Sequence, residues 1–421
     1  MDGEAAADAA LHAPAQDNRQ SLLALDCLNF FLGDLQSGVG PFVASYLRAQ
    51  QHWDVGRIGL VMSAQSFAVL VVQVPAGALV DWLRAKRLLA ASAALMLGVG
   101  CLAIALARDL LSVCAGETLI GIAMAVFGPV IAALTLGIVG SHAFARRTGR
   151  NQGFNHAGTV IASLMAGLVG HFLGFADVFY LSSATSLVVM ASALAIREND
   201  IDHALAREAG RNLHDQLQIA KISALLKDRR ILILVLSVVL FHLSNAAMLP
   251  LAGEMVSSRE HSFAALFMAL CILISQLTMA PIAVLAGRSA DRIGRKPIFL
   301  IGFASLPLRA LLFALVHQPS LIIAGEILDG VGSGIFGVLL VIVAADLARG
   351  TGRFNLLQAT LATAIACGAT ASNLLAGFLV QHEGFRIGFL SLGVVGVGAI
   401  LTLATLMPET APSRTVDLAY P

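Results

Sequence analysis

Gly116-Glu117-Thr118-Leu119-Ile120-Gly121 returns 209 residues later as Gly325-Glu326-Ile327-Leu328-Asp329-Gly330. Phe127-Gly128 is answered by Phe336-Gly337 and Pro41 by Pro250 at the same offset. Gly77 and Asp81 are answered by Gly287 and Asp291, and Ala166-Gly167 by Ala376-Gly377, at an offset of 210. A near-constant offset across half the chain is the mark of an internal duplication.

The repeated unit is built of apolar runs. Hydrophobic residues make up 57% of the 421 residues, charged residues 13%, and the mean hydropathy is +0.82; an ordinary soluble domain carries about 25% charge. At roughly 20 residues per membrane-crossing helix, the pattern predicts an all-α membrane protein with twelve transmembrane helices in two pseudo-symmetric six-helix bundles. The spans fall near 21–46, 56–81, 87–107, 110–140, 151–172 and 176–196, then 231–256, 262–287, 297–317, 319–347, 354–380 and 385–407. The domain reading is a disordered cytoplasmic tail over 1–20, a bundle over 21–196, a cytoplasmic linker over 197–230, a second bundle over 231–407 and a tail over 408–421. Residues 1–20 lack the charged start and apolar run of a signal peptide. Two similar halves facing one another imply a transporter with its site near mid-membrane.

Sidedness follows from the cations, since Lys and Arg are retained on the cytoplasmic side. With both termini inside, 21 of the 27 Lys and Arg fall in inner segments. Arg48, Arg57, Arg108, Arg259 and Arg386 fall outside, and Arg309 lies within a helix. The expected location is the cytoplasmic membrane, and the formal net charge of +1 gives no argument for a nucleic-acid partner. Cys27, Cys101, Cys114, Cys271 and Cys367 all fall in apolar segments and read as packed thiols.

The loop Gly287-Arg288-Ser289-Ala290-Asp291-Arg292-Ile293-Gly294-Arg295-Lys296-Pro297 resembles the signature loop of the major facilitator superfamily. In the first half Gly77, Leu79, Asp81, Lys86 and Arg87 fit the same pattern, with Trp82 and Arg84 in place of the usual Arg and Gly. The resemblance covers the whole chain. It implies that these two loops form a conformational switch at the inner face, holding the outward-open state without touching substrate. Glycine in such a loop lets helices approach closely, and aspartate at a helix end pairs with arginines or caps a neighbouring helix. The resemblance stops short of the drug and proton antiporters of that superfamily. Their fourth-helix arginine is replaced by Glu117 within Ala115-Gly116-Glu117-x-x-x-Gly121, and residues 151–172 contain no proline.

An ionisable group inside a membrane is costly and marks function. Asp34 lies about 20 Å into the first helix at 1.5 Å per residue, on one polar face with Asp26, Asn29, Gly33 and Ser37. Glu326, Asp329 and Ser333 share a face of the tenth helix, with Glu117 as the first-half counterpart. Asn155, Thr159 and Ser163 form a stripe on the fifth helix beside His156, and His242 and Asn245 stand on the seventh. Asp34, Glu117, Glu326, Asp329 and His156 are the proton-coupling candidates. Asp26, Asn29, Gln36, Asn155, Thr159, His242, Asn245 and Ser333 are the substrate-cavity candidates. The acids have a structural rival reading, as hydrogen-bonded links between helices. Asp346 reads as an exposed partner at the end of its helix.

No His-x-x-x-His spacing, nucleophile elbow or phosphate loop ending in Gly-Lys-Ser/Thr occurs, so neither an enzyme nor an ATP-driven pump is expected, and no cofactor or metal. The expected function is proton-coupled movement of a small organic solute, with efflux favoured because the cavity is acid-lined and poor in cations. An importer of a small metabolite or metal chelate, or a transport-dead receptor or scaffold on the same fold, are the alternatives. The partners implied are a small-molecule substrate, protons and the bilayer; a monomer would suffice.

Overall fold

The computed structural model describes residues 18–37, 39–203, 205–206, 227–259, 263–349 and 354–411. The side chains of Asp34, Gln36, Ser37 and Asp81 lie outside the described residues, as does most of the 197–230 linker. The described secondary structure is helical: α1 (Arg19–Ser37), α2 (Val39–Ala49), α3 (Val55–Trp82), α4 (Lys86–Leu106), α5 (Leu110–Phe172), α6 (Phe175–Ala195), α7 (Arg229–Asn245), α8 (Met248–Ser257), α9 (Ala264–Ile293), α10 (Arg295–Leu315), α11 (Pro319–Ala348) and α12 (Phe354–Leu406). Asp54, Asp109 and Asp228 accept from the backbone N–H of Arg57, Ser112 and Arg230. They satisfy donors that a helix start leaves open, which sets where α3, α5 and α7 begin.

Among the described residues, nine helical stretches are long and apolar enough to cross a membrane. Two of the expected boundaries fall at sharp kinks where one helix ends and the next begins at a glycine without an intervening coil. The 63 residues of α5 would reach roughly 95 Å if straight, yet Asn151 Nδ2 donates to Thr135 Oγ1 at 2.9 Å. The run therefore doubles back, and it does so at Gly140, whose φ of 69° an L side chain rarely adopts. Gly384, φ 82°, folds α12 in the same way, bringing Gly388 against Val380. The loop expected over 141–150 is helical, because the arms resume hydrogen bonding directly beyond the glycine.

Close packing repeats with the sequence. Gly116 lies against Ala103 and Ile104, and Gly325 against the equivalent Leu312 and Phe313. A Cβ on Gly158 would overlap the Phe30 carbonyl, and one on Gly368 the Val239 carbonyl. Between the halves, Gly167 meets Ala269 while Gly377 meets Gly59. Apolar surroundings offer no hydrophobic gain for helix association, so small residues and backbone proximity carry it.

The turns at Trp82–Lys86 and Ile293–Arg295, with the start of α1, mark one end of the bundle, here called the basic end. Toward the opposite, far end lie close contacts between halves: Gly167–Ala269, Gly170–Ala265, Gly59–Gly377 and Gly253–Ser45. The apolar core runs through that far end without a break, from Phe42–Leu47 to Ala247–Val256 and Ala264–Ile272. The ion pairs Arg87–Glu198 and Arg295–Asp346 at the basic end each lie within one half. The five cysteines are free, and Cys27 and Cys367 stand exposed on helix surfaces, whereas the sequence placed all five in packing.

Gly158→Val places branched carbons on the Phe30 carbonyl and should lower stability by roughly 2–3 kcal/mol, as overpacking does. Gly149→Ala, where a Cβ meets nothing within 4 Å, should be neutral or stabilising by up to about 1 kcal/mol. Thermal unfolding of both variants in detergent checks the pair; equal melting temperatures would remove the crossing as a stability determinant.

Candidate substrate and proton site

A cavity of about 280 Å³ lies between α1 and the two arms of α5. Asn29, Leu32, Gly128, Ile131, Ala132, Thr135, Phe144, Thr148, Asn151, Gln152 and Asn155 form its wall. Gln152 and Thr148 are exposed, so the cavity communicates with the basic end. The wall bears amides and hydroxyls, and none of its described residues carries a charge. Asn29 Nδ2 donates to the Leu25 carbonyl at 2.7 Å, and Asn155 Nδ2 to the Asn29 carbonyl at 3.4 Å. Thr159 Oγ1 donates to the Gly33 carbonyl at 3.1 Å; with Ser163 it is buried in helix packing, away from the cavity wall.

Asp26 does not line this cavity. Arg147 and Arg150 each approach its carboxylate at 2.7 Å, and Arg147 also donates to Asn151 Oδ1 at 3.0 Å. The arginines stand three residues apart on one helical face, which brings both to the same carboxylate. Asp26 thereby anchors α1 to the second arm of α5 and sets the position of Asn151. That role has no local signature, since the partners are 121 and 124 residues apart.

The second cluster surrounds Arg309 on α10. Its guanidinium holds Glu326 through two bonds of 2.8 and 2.7 Å, and Asp329 at 2.7 Å. It also donates to Asn245 Oδ1 at 2.9 Å, and Ser275 donates to the other Asp329 oxygen at 2.6 Å. The cluster ties α7, α9, α10 and α11 together. Glu326 and Arg309 are fully enclosed, while Asp329 is 17% exposed. One cation faces two carboxyls, so the cluster is one positive charge short of neutrality when both are ionised. Ser333, a turn further on, is half-buried.

Glu117, the counterpart of Glu326, is fully buried, and neither carboxyl oxygen has a hydrogen-bond partner. The position equivalent to Arg309 is Gly100, where a Cβ would overlap Ile120 and the Gly116 carbonyl. The first half has no room for the cation that the second half uses. Of the remaining candidates, His156 Nδ1 meets Gln276 Oε1 at 3.1 Å, between the halves. His242 packs its ring on Phe241 and Phe336, with Nδ1 at 3.3 Å from the Val238 carbonyl. Asp34 lies in α1 three residues from its end, and Gln36 is its penultimate residue.

At the basic end, Arg295 pairs with Asp291 at 2.7 Å and Asp346 at 3.3 Å, and Arg349 reaches Asp346 at 2.8 Å. Asp346 is only 8% exposed; the expected surface partner is the link between the α9–α10 turn and the end of α11. Gly294, with φ 115°, closes α9. Glu409 beyond α12 accepts from the backbone N–H groups of Arg295 and Lys296 at 2.9 and 3.1 Å, capping the start of α10. Burial alone would raise the Glu409 carboxyl, but the N–H groups of Ala411, Arg295, Lys296 and Thr410 together hold it below 4.5. In the first half Lys86 is buried and donates to the Val80 carbonyl at 2.7 Å. Arg87 pairs with Glu198 and bonds the Ile196 carbonyl. Gly77 is buried, Gly287 has only ordinary contact with Val338, and Lys296 is half-buried. Asp291 and Arg292 are exposed.

A folded-back helical bundle whose halves share crossings, ionisable groups and loops is that of a membrane transporter. The Major Facilitator Superfamily profile matches residues 25–282 and 234–420, and the chain belongs to that family; it is a transporter and not an enzyme. An uncharacterized MFS-type transporter of Mycobacterium tuberculosis is 40% identical over 393 residues, covering 93% of this chain and 94% of the relative. Multidrug resistance protein D of Escherichia coli is 29% identical over 139 residues, 33% of each chain. Among solved structures, the nucleoside transporter NupG superposes with a TM-score of 0.77 at 16% identity, covering 92% of this chain and 98% of NupG. That likeness is one of fold.

Arg309→Met leaves two enclosed carboxyls without their cation and should destabilise by about 3–5 kcal/mol. Adding Glu326→Leu and Asp329→Asn should recover most of that loss; a triple variant as unstable as the sum of single changes would reject the cluster as one unit. Because the folded-state Glu409 carboxyl is depressed, its stabilisation is full above about pH 4.5 and is lost as pH falls through the lower folded value. Hydrogen exchange at the Arg295 and Lys296 amides, corrected for intrinsic rate, should accelerate below that pH in the wild type. In Glu409→Gln it should already be faster at pH 7, and equal rates there would discard the cap.

Proposed function

We propose that this transporter exports a small neutral or cationic organic solute in exchange for protons. The observation that carries the substrate class is the run of amides and hydroxyls on the wall of the 280 Å³ cavity, where none of the described residues is charged. Arg147 and Arg150, next in sequence to the lining residues Thr148 and Asn151, are committed to Asp26. Solutes with carboxylate or phosphate groups need Arg or Lys free to pair with them; amides and hydroxyls suit hydrogen-bonding neutral groups. The partial likeness to multidrug resistance protein D supports the outward direction.

Counting folded α5 and α12 as two passes each, and α1–α2 and α7–α8 as one each, gives twelve passes. The concentration of cations at the basic end supports placing that end, and both termini, in the cytoplasm of a cell whose inner membrane holds the protein. The loops around Gly77, Asp81, Gly287 and Asp291 serve as the conformational switch. Coupling is assigned to Glu117 ahead of Asp34, Glu326, Asp329 and His156. It is an enclosed carboxyl with no partner on either oxygen, and an ionised group so placed is strongly disfavoured.

In proteoliposomes with an imposed pH gradient, the wild type should concentrate ethidium against its gradient. Glu117→Gln should abolish this driven flux while leaving downhill ethidium exchange within a few-fold, and Asp34→Asn should retain partial drive. Undiminished driven flux in Glu117→Gln would move coupling to Asp34 or to the Arg309 cluster. Absence of any wild-type flux with ethidium or with neutral amphiphiles would count against the proposed substrate class.

A further inference from the structure

Ser45 on α2 and Glu254 on α8 are equivalent positions of the duplication, 209 residues apart like Pro41 and Pro250. They belong to the segments that meet at the far end. α2 and α8 touch so closely there that a Cβ on Gly253 would overlap Ser45 Oγ and Met268 Sδ. Ser45 and Ser257 are fully buried and Glu254 is 2% exposed. Ser45 Oγ, Ser257 Oγ and Glu254 Oε2 each lack a hydrogen-bond partner. Three unpartnered polar atoms at one helix contact form an arrangement that a permanently sealed core does not tolerate well. A contact that opens and admits water satisfies them in its other state.

The charges around Glu254 offset its burial only in part. On α2 the only charged side chain is Arg48, which interacts electrostatically with Glu254 while its guanidinium donates to the Trp53 carbonyl at 2.8 Å. α9 carries no acidic or basic side chain before Arg288. α12 contributes His382, Glu383 and Arg386, all exposed around the Gly384 fold. α7, which precedes α8, carries His242 three turns back and its arginines at the basic end. Among the described residues an ionised Glu254 would sit in the closed contact with no cation bonded to its buried Oε2, a condition that opposes burial of a carboxylate.

We infer that Glu254 is the proton acceptor of the far end: the contact between α2 and α8 closes on its protonated form and opens when the proton leaves. This deepens the proton-exchange reading above, and rests on it only for the assignment of the proton to transport. Protonation removes the charge that closure would strand, so proton binding and the closed far end stabilise each other by linkage. The asymmetry between Ser45 and Glu254 then has a purpose, since one carboxyl on the pseudo-two-fold contact suffices for one switch.

The test uses full-length protein in lipid nanodiscs with spin labels at the exposed positions Gln50 and Ser258, the native cysteines replaced, and distances measured by electron–electron resonance from pH 5 to 9. In the wild type the ratio of far-end-open to far-end-closed molecules should rise by up to about tenfold per pH unit through the transition, the slope of one linked proton. Glu254→Gln should stay closed across the range, and Ser45→Ala should keep the wild-type response. Glu254→Met supplies a second neutral side chain should the glutamine variant fail to fold. A flat wild-type profile, or an unchanged response in both neutral variants, overturns the proposal. Driven ethidium flux in the same preparations separates the two readings. A titrating far end without proton-driven flux leaves the Glu254 switch standing and rejects proton exchange as the function; flux with a flat profile does the reverse.

Discussion

The constraint on which this structure depends is the penalty for leaving a charge or a backbone polar group unpaired where water is excluded. Backbone groups meet it through long helices, whose ladders end and restart at Gly140 and Gly384. Side chains meet it in pairs. Asp26 is held by two arginines, Glu326 and Asp329 share Arg309, and Asp346 lies between Arg295 and Arg349. Against that background Glu117 and Glu254 are the departures among the described residues, each a buried carboxyl with an oxygen that has no hydrogen-bond partner.

Duplication explains the packing and makes its asymmetries informative. Equivalent glycines meet equivalent neighbours in both halves, so helix crossings are shared property of the repeat. Two equivalent pairs diverge in chemistry. Gly100 replaces Arg309, which strips Glu117 of a cation, and Ser45, packed against Gly253, stands where the second half has Glu254. The first divergence is steric, because the Gly100 backbone lies too near Ile120 and Gly116 to admit a side chain. The second is electrostatic, because one acid at a shared contact can be neutralised by a single proton, whereas two would repel.

The α9–α10 turn shows how a loop motif acquires physical meaning. Its glycine and aspartate were legible as a switch element by resemblance, but the described contacts extend further. Arg295 joins Asp291 to Asp346, and Glu409 caps the helix that Arg295 begins. The end of α12 is thereby fastened to the same turn as the end of α11. A displacement of α10 would strain both fastenings at once.

The sequence by itself determined the helices, their repetition and the family, because apolar length, glycine spacing and a recurring offset are local or periodic properties. It also located Glu117, Glu326, Asp329 and Arg309 as enclosed ionisable groups, since a charge within an apolar run is visible without coordinates. Tertiary structure alone decided which of them are paired. Asp26 read as a cavity residue and is an anchor; Asp346 read as exposed and is enclosed; the stretch 141–150 read as a loop and is helical. The physical reason is that a carboxylate's partner is set by where helices cross, between residues up to 124 positions apart. No window of sequence contains that relation.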